Sequence, residues 1–167
     1  MIQWKSLFVR RYVCWKTRPN FKELNKMPVN IPVEADKLKN ILIILPKRVE
    51  YVDSALALVR ELRRHFTQWH YMMLDIDKIL SHKLNRLNLP NEEFIGELEK
   101  DKFDLVLDLN FDFNIRILYI IGMLKIPYRL HLQSSSDNYY NIIVRANRTA
   151  PLNFDFVVNY LQTIFLK

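Results

Sequence analysis

Residues 40–74 read NILIILPKRVEYVDSALALVRELRRHFTQWHYMML, and this stretch decides the fold class. Ile41 to Leu45, led by Asn40, is a continuous apolar run of strand length, the pattern of a strand covered on both faces. Val52, Leu56, Val59, Leu62 and Phe66 then recur at helical steps and predict a helix over 52–66. Arg60, Arg63 and Arg64 gather near its C-terminal end, where the helix dipole favours cations. His70 to Leu74 predicts a second strand. Strand, helix and strand at this spacing imply parallel pairing through a right-handed crossover.

The same alternation continues downstream. A short turn is expected over 76–84, and Pro90-Asn91-Glu92-Glu93 opens a helix to Lys100, with early carboxylates suited to its N-terminus. Phe103 to Leu109 predicts the third strand, Phe113 to Leu124 the most apolar helix, and Pro127 to Leu132 a fourth strand. Asn141 to Arg145 is a candidate fifth strand, and Phe154 to Phe165 predicts a closing helix. The expectation is an α/β class, three-layer Rossmann-like domain over residues 39–167, with a mostly parallel sheet of four or five strands. Upstream, Trp4, Leu7, Phe8, Tyr12 and Trp15 recur at steps of three and four and predict an amphipathic helical arm over 1–19. Arg18-Pro19-Asn20 reads as its end, because proline disfavours a helical residue before it. Residues 20–38, with Pro28 and Pro32, read as a linker.

Half of the 167 residues are hydrophobic, enough to fill a core and exclude a disordered chain. No apolar run reaches the ~18–20 residues of a spanning helix. Residues 1–5 lack the features of a secretory signal. Cys14 is the single cysteine, so neither an intrachain disulfide nor a cysteine zinc cluster is expected. A cytoplasmic location follows as the expectation. The net charge of +7 is unevenly placed. Residues 1–26 hold seven basic side chains against Glu23 alone, whereas the rest of the chain holds 18 basic and 17 acidic ones. The body is nearly neutral and the arm carries the charge, which directs the arm to an anionic surface.

In an open parallel sheet, ligands bind beyond the C-terminal strand ends. Here those ends lead into Pro46-Lys47-Arg48, Asp75-Ile76-Asp77 and Asn110-Phe111-Asp112. Phosphate loops need glycines for close backbone approach. The only glycines, Gly96 and Gly122, fall inside predicted helices, so the dinucleotide fingerprint and the P-loop are absent. Lys47 and Arg48 remain as ligand-binding candidates through their side chains, together with Asp108 and Asp112. Asp75 and Asp77 read as turn caps. His65, His70, His82 and His131 show no metal-ligand spacing. No metal and no cofactor are expected.

The segment Ile41 to Phe66, ILIILPKRVEYVDSALALVRELRRHF, resembles the opening strand and helix of glycosyltransferase family nine, the lipopolysaccharide heptosyltransferases. Phe103 to Leu132, FDLVLDLNFDFNIRILYIIGMLKIPYRLHL, is similar to a later unit of the same family. The two stretches cover about a third of the chain. The resemblance implies a degenerate, single-domain relative of the family's N-terminal half. Family members carry Gly-Asp in the first loop, with the aspartate as catalytic base, and Glu50 and Tyr51 stand at those positions here. The resemblance therefore implies no catalytic residue in its expected place; were the chain an enzyme, Glu50 and Asp53 would carry the chemistry. The family's second domain, which holds the nucleotide sugar, has no counterpart in these residues. The order of parts is also similar to that of short bacterial proteins with a basic N-terminal helix and one such domain.

These readings converge on a non-catalytic interaction module, docked through its basic aromatic arm to an anionic membrane surface, on the inner face of the membrane, or to a larger protein assembly. Trp4, Lys5, Phe8, Arg10, Arg11, Tyr12, Trp15 and Lys16 are the expected docking residues. RNA or ribonucleoprotein binding through the arm is the first alternative, since basic residues interleaved with aromatics suit phosphates and bases. A nucleotide-binding or glycosyltransferase-like enzyme is the second.

Overall fold

The computed structural model describes residues 2–27, 33–34, 37–132, 139–145 and 154–166. Its centre is a five-stranded parallel sheet of β2 (Asn40–Ile44), β3 (His70–Leu74), β4 (Leu105–Asp108), β5 (Tyr128–His131) and β6 (Ile142–Ile143), in the spatial order β3-β2-β4-β5-β6. β2 from Ile41 to Ile44 and β4 from Leu105 to Leu107 are apolar because both faces are covered. Ile41, Ile43, Leu105 and Leu107 point into one core, while Leu42, Ile44 and Val106 point into the other. Edge strand β3 is less buried than these two, as its place predicts. Helices α2 (Val52–His65) and α5 (Asp155–Ile164) fill the first layer. Helices α3 (Glu92–Glu99) and α4 (Ile115–Leu124) fill the second. The expected three-layer Rossmann-like architecture is present, with all five strands parallel. A two-residue strand β1 (Val33–Glu34) also pairs in parallel with β7 (Phe165–Leu166).

The chain leaves β2 to build β3 on one side and leaves β4 to build β5 on the other. The point where the winding reverses therefore lies between β2 and β4, and it is here that a doubly wound sheet opens a crevice.

The N-terminal helix α1 (Ile2–Leu24) belongs to the second layer and is not a detached arm. It does not stop at Pro19, as the sequence suggested, but runs through it to Leu24. A proline inside a helix costs about 3 kcal/mol. Beyond it, Phe21 and Leu24 are buried, each worth roughly 1.5–3 kcal/mol, so packing carries the helix past its breaker. The buried stripe is Val13, Thr17, Phe21 and Leu24, with Val9 and Tyr12 partly covered. This is a different face from the Trp4, Leu7, Phe8, Tyr12 and Trp15 stripe that the sequence put forward. Residues 20–24 of the expected linker are thus helical, while its residues 28–32 and 35–36 lie outside the described residues.

α1 also explains why α4 is so apolar. Ile117, Leu118, Tyr119, Ile120 and Ile121 are all buried, because the sheet covers one side of α4 and α1 seats against another. The connection from β5 to β6, residues 132–141, is ten residues long, shorter than the dozen or more of a helical crossover. α1 fills that part of the layer. Its end is fixed by Arg129 of β5, a fully buried side chain whose guanidinium donates to Asn25 Oδ1 at 2.6 Å.

Candidate functional site

The crevice at the winding reversal has a volume of about 400 Å³ and is lined by the 46–48 turn, Tyr51 and residues 109–114. Of the ligand candidates named from sequence, Lys47, Arg48 and Asp112 line it with exposed side chains. Arg48 lies 3.8 Å from Glu50 and over the Tyr51 ring at 5.9 Å, so its charge faces a carboxylate of its own turn. Tyr51 packs edge-on against Phe111, joining the two walls. Glu50 is exposed, and Asp53 is exposed in the first turn of α2, where its charge suits the helix N-terminus.

Asp108 lies apart from these, sealed beneath the crevice and 1% exposed. Register pairs it with His131 at the end of β5. Its carboxylate accepts Tyr140 O–H at 2.5 Å, Asn110 N–H at 3.1 Å and Asn110 Nδ2 at 3.0 Å, with His131 Nε2 at 3.9 Å. His131 and Tyr140 stack with ring centroids 4.5 Å apart. Asn110 ties the two loops together: Lys47 N–H donates to its Oδ1 at 2.8 Å and its Nδ2 donates to Leu45 O at 3.1 Å. Sequence reasoning missed Asn110, His131 and Tyr140. The one signal was Arg129 and His131, two residues apart on a face that a buried strand should keep apolar.

Burial raises the Asp108 carboxyl above the ordinary carboxylate range, overcoming the opposing pull of His131, Tyr140 and Asn110. Burial also pushes the Tyr140 phenol well up, so it stays protonated and donates. The folded state therefore binds the Asp108 proton more tightly than the unfolded chain. The resulting stability is complete below the unfolded pKa and is lost as pH rises through the raised folded value. Asp108→Asn keeps the shape and removes the titration. In thermal unfolding the variant and the parent should agree near pH 4, with the variant gaining on the parent as pH rises towards neutral. A parent that gains on the variant over that window would show the carboxylate, and not the acid, to be the favoured form.

Asp75 accepts from Asp77 N–H at 3.1 Å and pairs with Lys78, the capping role expected of it. Among the described residues no group of three or more His, Cys, Asp or Glu side chains is placed to hold a metal ion. His65 contacts Gln162 and Glu61, while His70 and His82 are exposed.

The face of α1 turned away from α4 forms a second candidate surface. Phe8, Arg11, Trp15, Arg18 and Lys22 follow one another at steps of three and four and are all exposed. Phe8 is 62% exposed and Trp15 is 72% exposed, far more than large aromatics of a packed helix. Of the other docking residues named from sequence, Tyr12 turns partly into the core, Lys16 is half-buried, and Arg10 reaches over Phe113 at 5.7 Å. The side chains of Trp4 and Lys5 lie outside the described residues. Cys14 is half-buried, its Sγ 3.6 Å from the Tyr139 hydroxyl. No described helix is long and apolar enough to cross a membrane. Comparison with protein-family models, with curated proteins and with solved structures finds no match to the chain.

Proposed function

We propose that the chain is an interaction module that docks on an anionic membrane surface through the outward stripe of α1. The observation that carries this reading is the exposure of Phe8 and Trp15 between Arg11, Arg18 and Lys22, on a helix whose opposite face is fixed to the body. An amphipathic helix lying in the interface plane needs aromatic side chains to enter the headgroup boundary and cations to meet anionic lipids. Each Lys or Arg near such a leaflet contributes on the order of 1 kcal/mol and the effect falls with salt. The excess of six positive charges in residues 1–26 beside a nearly neutral remainder makes that attraction directional. The crevice supports catalysis less well: Arg48 faces Glu50 of its own turn, and the acid nearby, Asp108, is only 1% exposed.

Co-sedimentation with vesicles tests the reading. The parent should pellet with phosphatidylcholine vesicles containing phosphatidylserine and stay in solution with phosphatidylcholine alone. The Phe8→Ser, Trp15→Ser double variant should lose roughly tenfold in apparent affinity. Its fold is preserved, because substitutions at such exposed positions change stability by only about 0.5 kcal/mol. Equal recovery on the two vesicle types, or unchanged recovery of the double variant, would remove the membrane as the partner. Tight, steeply salt-dependent binding to single-stranded RNA in place of vesicle binding would move the same stripe to a nucleic acid.

A further inference from the structure

β3 forms one edge of the sheet, and its sequence does nothing to protect that edge. Its five residues pair with β2 in one unbroken register, without a bulge. None of them is proline, lysine, arginine or a carboxylic acid, the residues with which sheet proteins usually blunt an edge. Met73 is 42% exposed there.

Hydrogen bonding fixes which backbone groups face outward. His70 N–H donates to Lys39 O at 2.6 Å, and Leu45 N–H donates to Leu74 O at 2.9 Å. His70, Met72 and Leu74 therefore turn their backbone groups to β2, and alternation turns those of Tyr71 and Met73 the other way. Among the described residues no backbone group meets Tyr71 or Met73 on that side. Two N–H and two C=O groups thus face outward, and each is a strong hydrogen-bonding group.

The two ends of the strand differ in chemistry. At its start a depression of about 540 Å³ is lined by Arg63, Thr67, Trp69, His70 and Tyr71. Arg63, exposed on α2, reaches over the Tyr71 ring at 6.0 Å. Past the other end the turn carries Asp75 and Asp77. Asp75 is still extended, so Tyr71, Met73 and Asp75 follow one another on the same side of the strand.

We infer that β3 pairs antiparallel with β3 of a second copy of this chain, about a twofold axis through Met72, joining the two sheets edge to edge. In that register Tyr71 and the second copy's Met73 exchange both backbone bonds, and the symmetric pair does the same. All four outward groups are used. The Tyr71 ring then meets a Met73 thioether, a favourable contact. The acidic turn of each copy arrives at the basic depression of the other, with Asp75 diagonal to Tyr71 and in reach of Arg63. The edge is complementary to its own reverse, the property of a twofold interface, and this selects a second copy as the occupant. The inference is independent of the docking role proposed for α1, which seats on α4.

Sedimentation velocity of the full chain at rising concentration tests the inference. The 20.2 kDa monomer should pass into a species of twice that mass. Met73→Lys sets a cation opposite Tyr71 and beside Arg63 of the second copy, and should raise the dissociation constant roughly tenfold or more. Arg63→Glu should weaken the dimer similarly, and adding Asp75→Arg to it should restore most of the loss by exchanging the charges. Circular dichroism should show a parent-like fold for each, since these side chains lie at the surface. Cross-linking reads the register. In a Cys14→Ser background, Met72→Cys should form an intermolecular disulfide with diamide as oxidant, because facing Cα atoms of a non-bonded pair lie about 4.5 Å apart. Met73→Cys, opposite Tyr71, should not. A chain that stays monomeric up to about 100 μM, a weak association by any standard, overturns the inference. A dimer that neither Met73→Lys nor Arg63→Glu weakens uses another face and overturns it equally.

Discussion

Arg129→Ala should lower the unfolding free energy by about 3–5 kcal/mol, the range for truncating a large buried side chain. Arg129 is wholly buried, and among the described residues no carboxylate accepts a hydrogen bond from it. Instead its Nε donates to Tyr139 O at 2.7 Å, its Nη1 to Ile126 O and Pro127 O at 2.9 Å each, and its Nη2 to Asn25 Oδ1 at 2.6 Å. Burial draws the guanidinium down to about 10, which still leaves it charged at neutral pH. Truncation removes packing against the Phe21 ring and strips donors from three carbonyls and an amide, each of which costs about 1–3 kcal/mol when left buried and unmet. Arg129→Lys should recover less than half of the loss, because one ammonium cannot reproduce a planar fork that serves four acceptors. Urea denaturation at neutral pH measures both variants. A loss under about 1 kcal/mol for Arg129→Ala would mean that the end of α1 is not clamped to β5.

That clamp was invisible in the sequence, and the reason is physical. β2 and α2 were legible because their patterns are local: Ile41 to Ile44 form an uninterrupted apolar run, and Val59, Leu62 and Phe66 of the expected helix face are buried. Leu56 of that face is exposed, however, and Ala55 and Leu58 are buried in its place. The extreme apolarity of α4 was legible as an anomaly but not as a contact, since its second cover comes from a helix about a hundred residues earlier. Pro19 then hid that helix's length, because intrinsic propensity said stop where burial of Phe21 and Leu24 said continue.

The candidate sites divide in the same way. Lys47, Arg48 and Asp112 were found because the rule that ligands gather at C-terminal strand ends needs only the order of elements. His131 and Tyr140 join Asp108 through the pairing of β4 with β5 and through the loop before β6, and no local spacing encodes that register; Asn110, two residues on from Asp108, joins it within its own turn. The aromatic stripe was half readable. Phe8 and Trp15 were on it, but only seating α1 against α4 shows that Arg11, Arg18 and Lys22 share their side and that Tyr12 does not.

Gly122→Leu should cost about 3 kcal/mol, the upper end of what overpacking a close contact entails. Gly122 lies where α4 meets α1, and a Cβ there would stand 2.6 Å from Thr17 Cβ, 2.7 Å from Thr17 Cγ2 and 2.8 Å from Phe21 Cε2. The Thr17 Cβ is attached to backbone, so no change of rotamer relieves the contact and α1 itself must move away. Moving it also breaks the bond from Asn20 Nδ2 to Gly122 O, 2.9 Å long, worth about 1 kcal/mol. The gain in helix propensity on replacing glycine is about 1 kcal/mol, too little to offset these losses. Urea denaturation gives the stability, and amide exchange should show protection falling first along α1. If Gly122→Leu is as stable as the parent, α1 does not seat on α4 at this point. Its consequence for docking follows from the same geometry: a helix pushed off α4 no longer holds Phe8 and Trp15 in one outward row, so vesicle binding should weaken even though every residue of the stripe is unchanged.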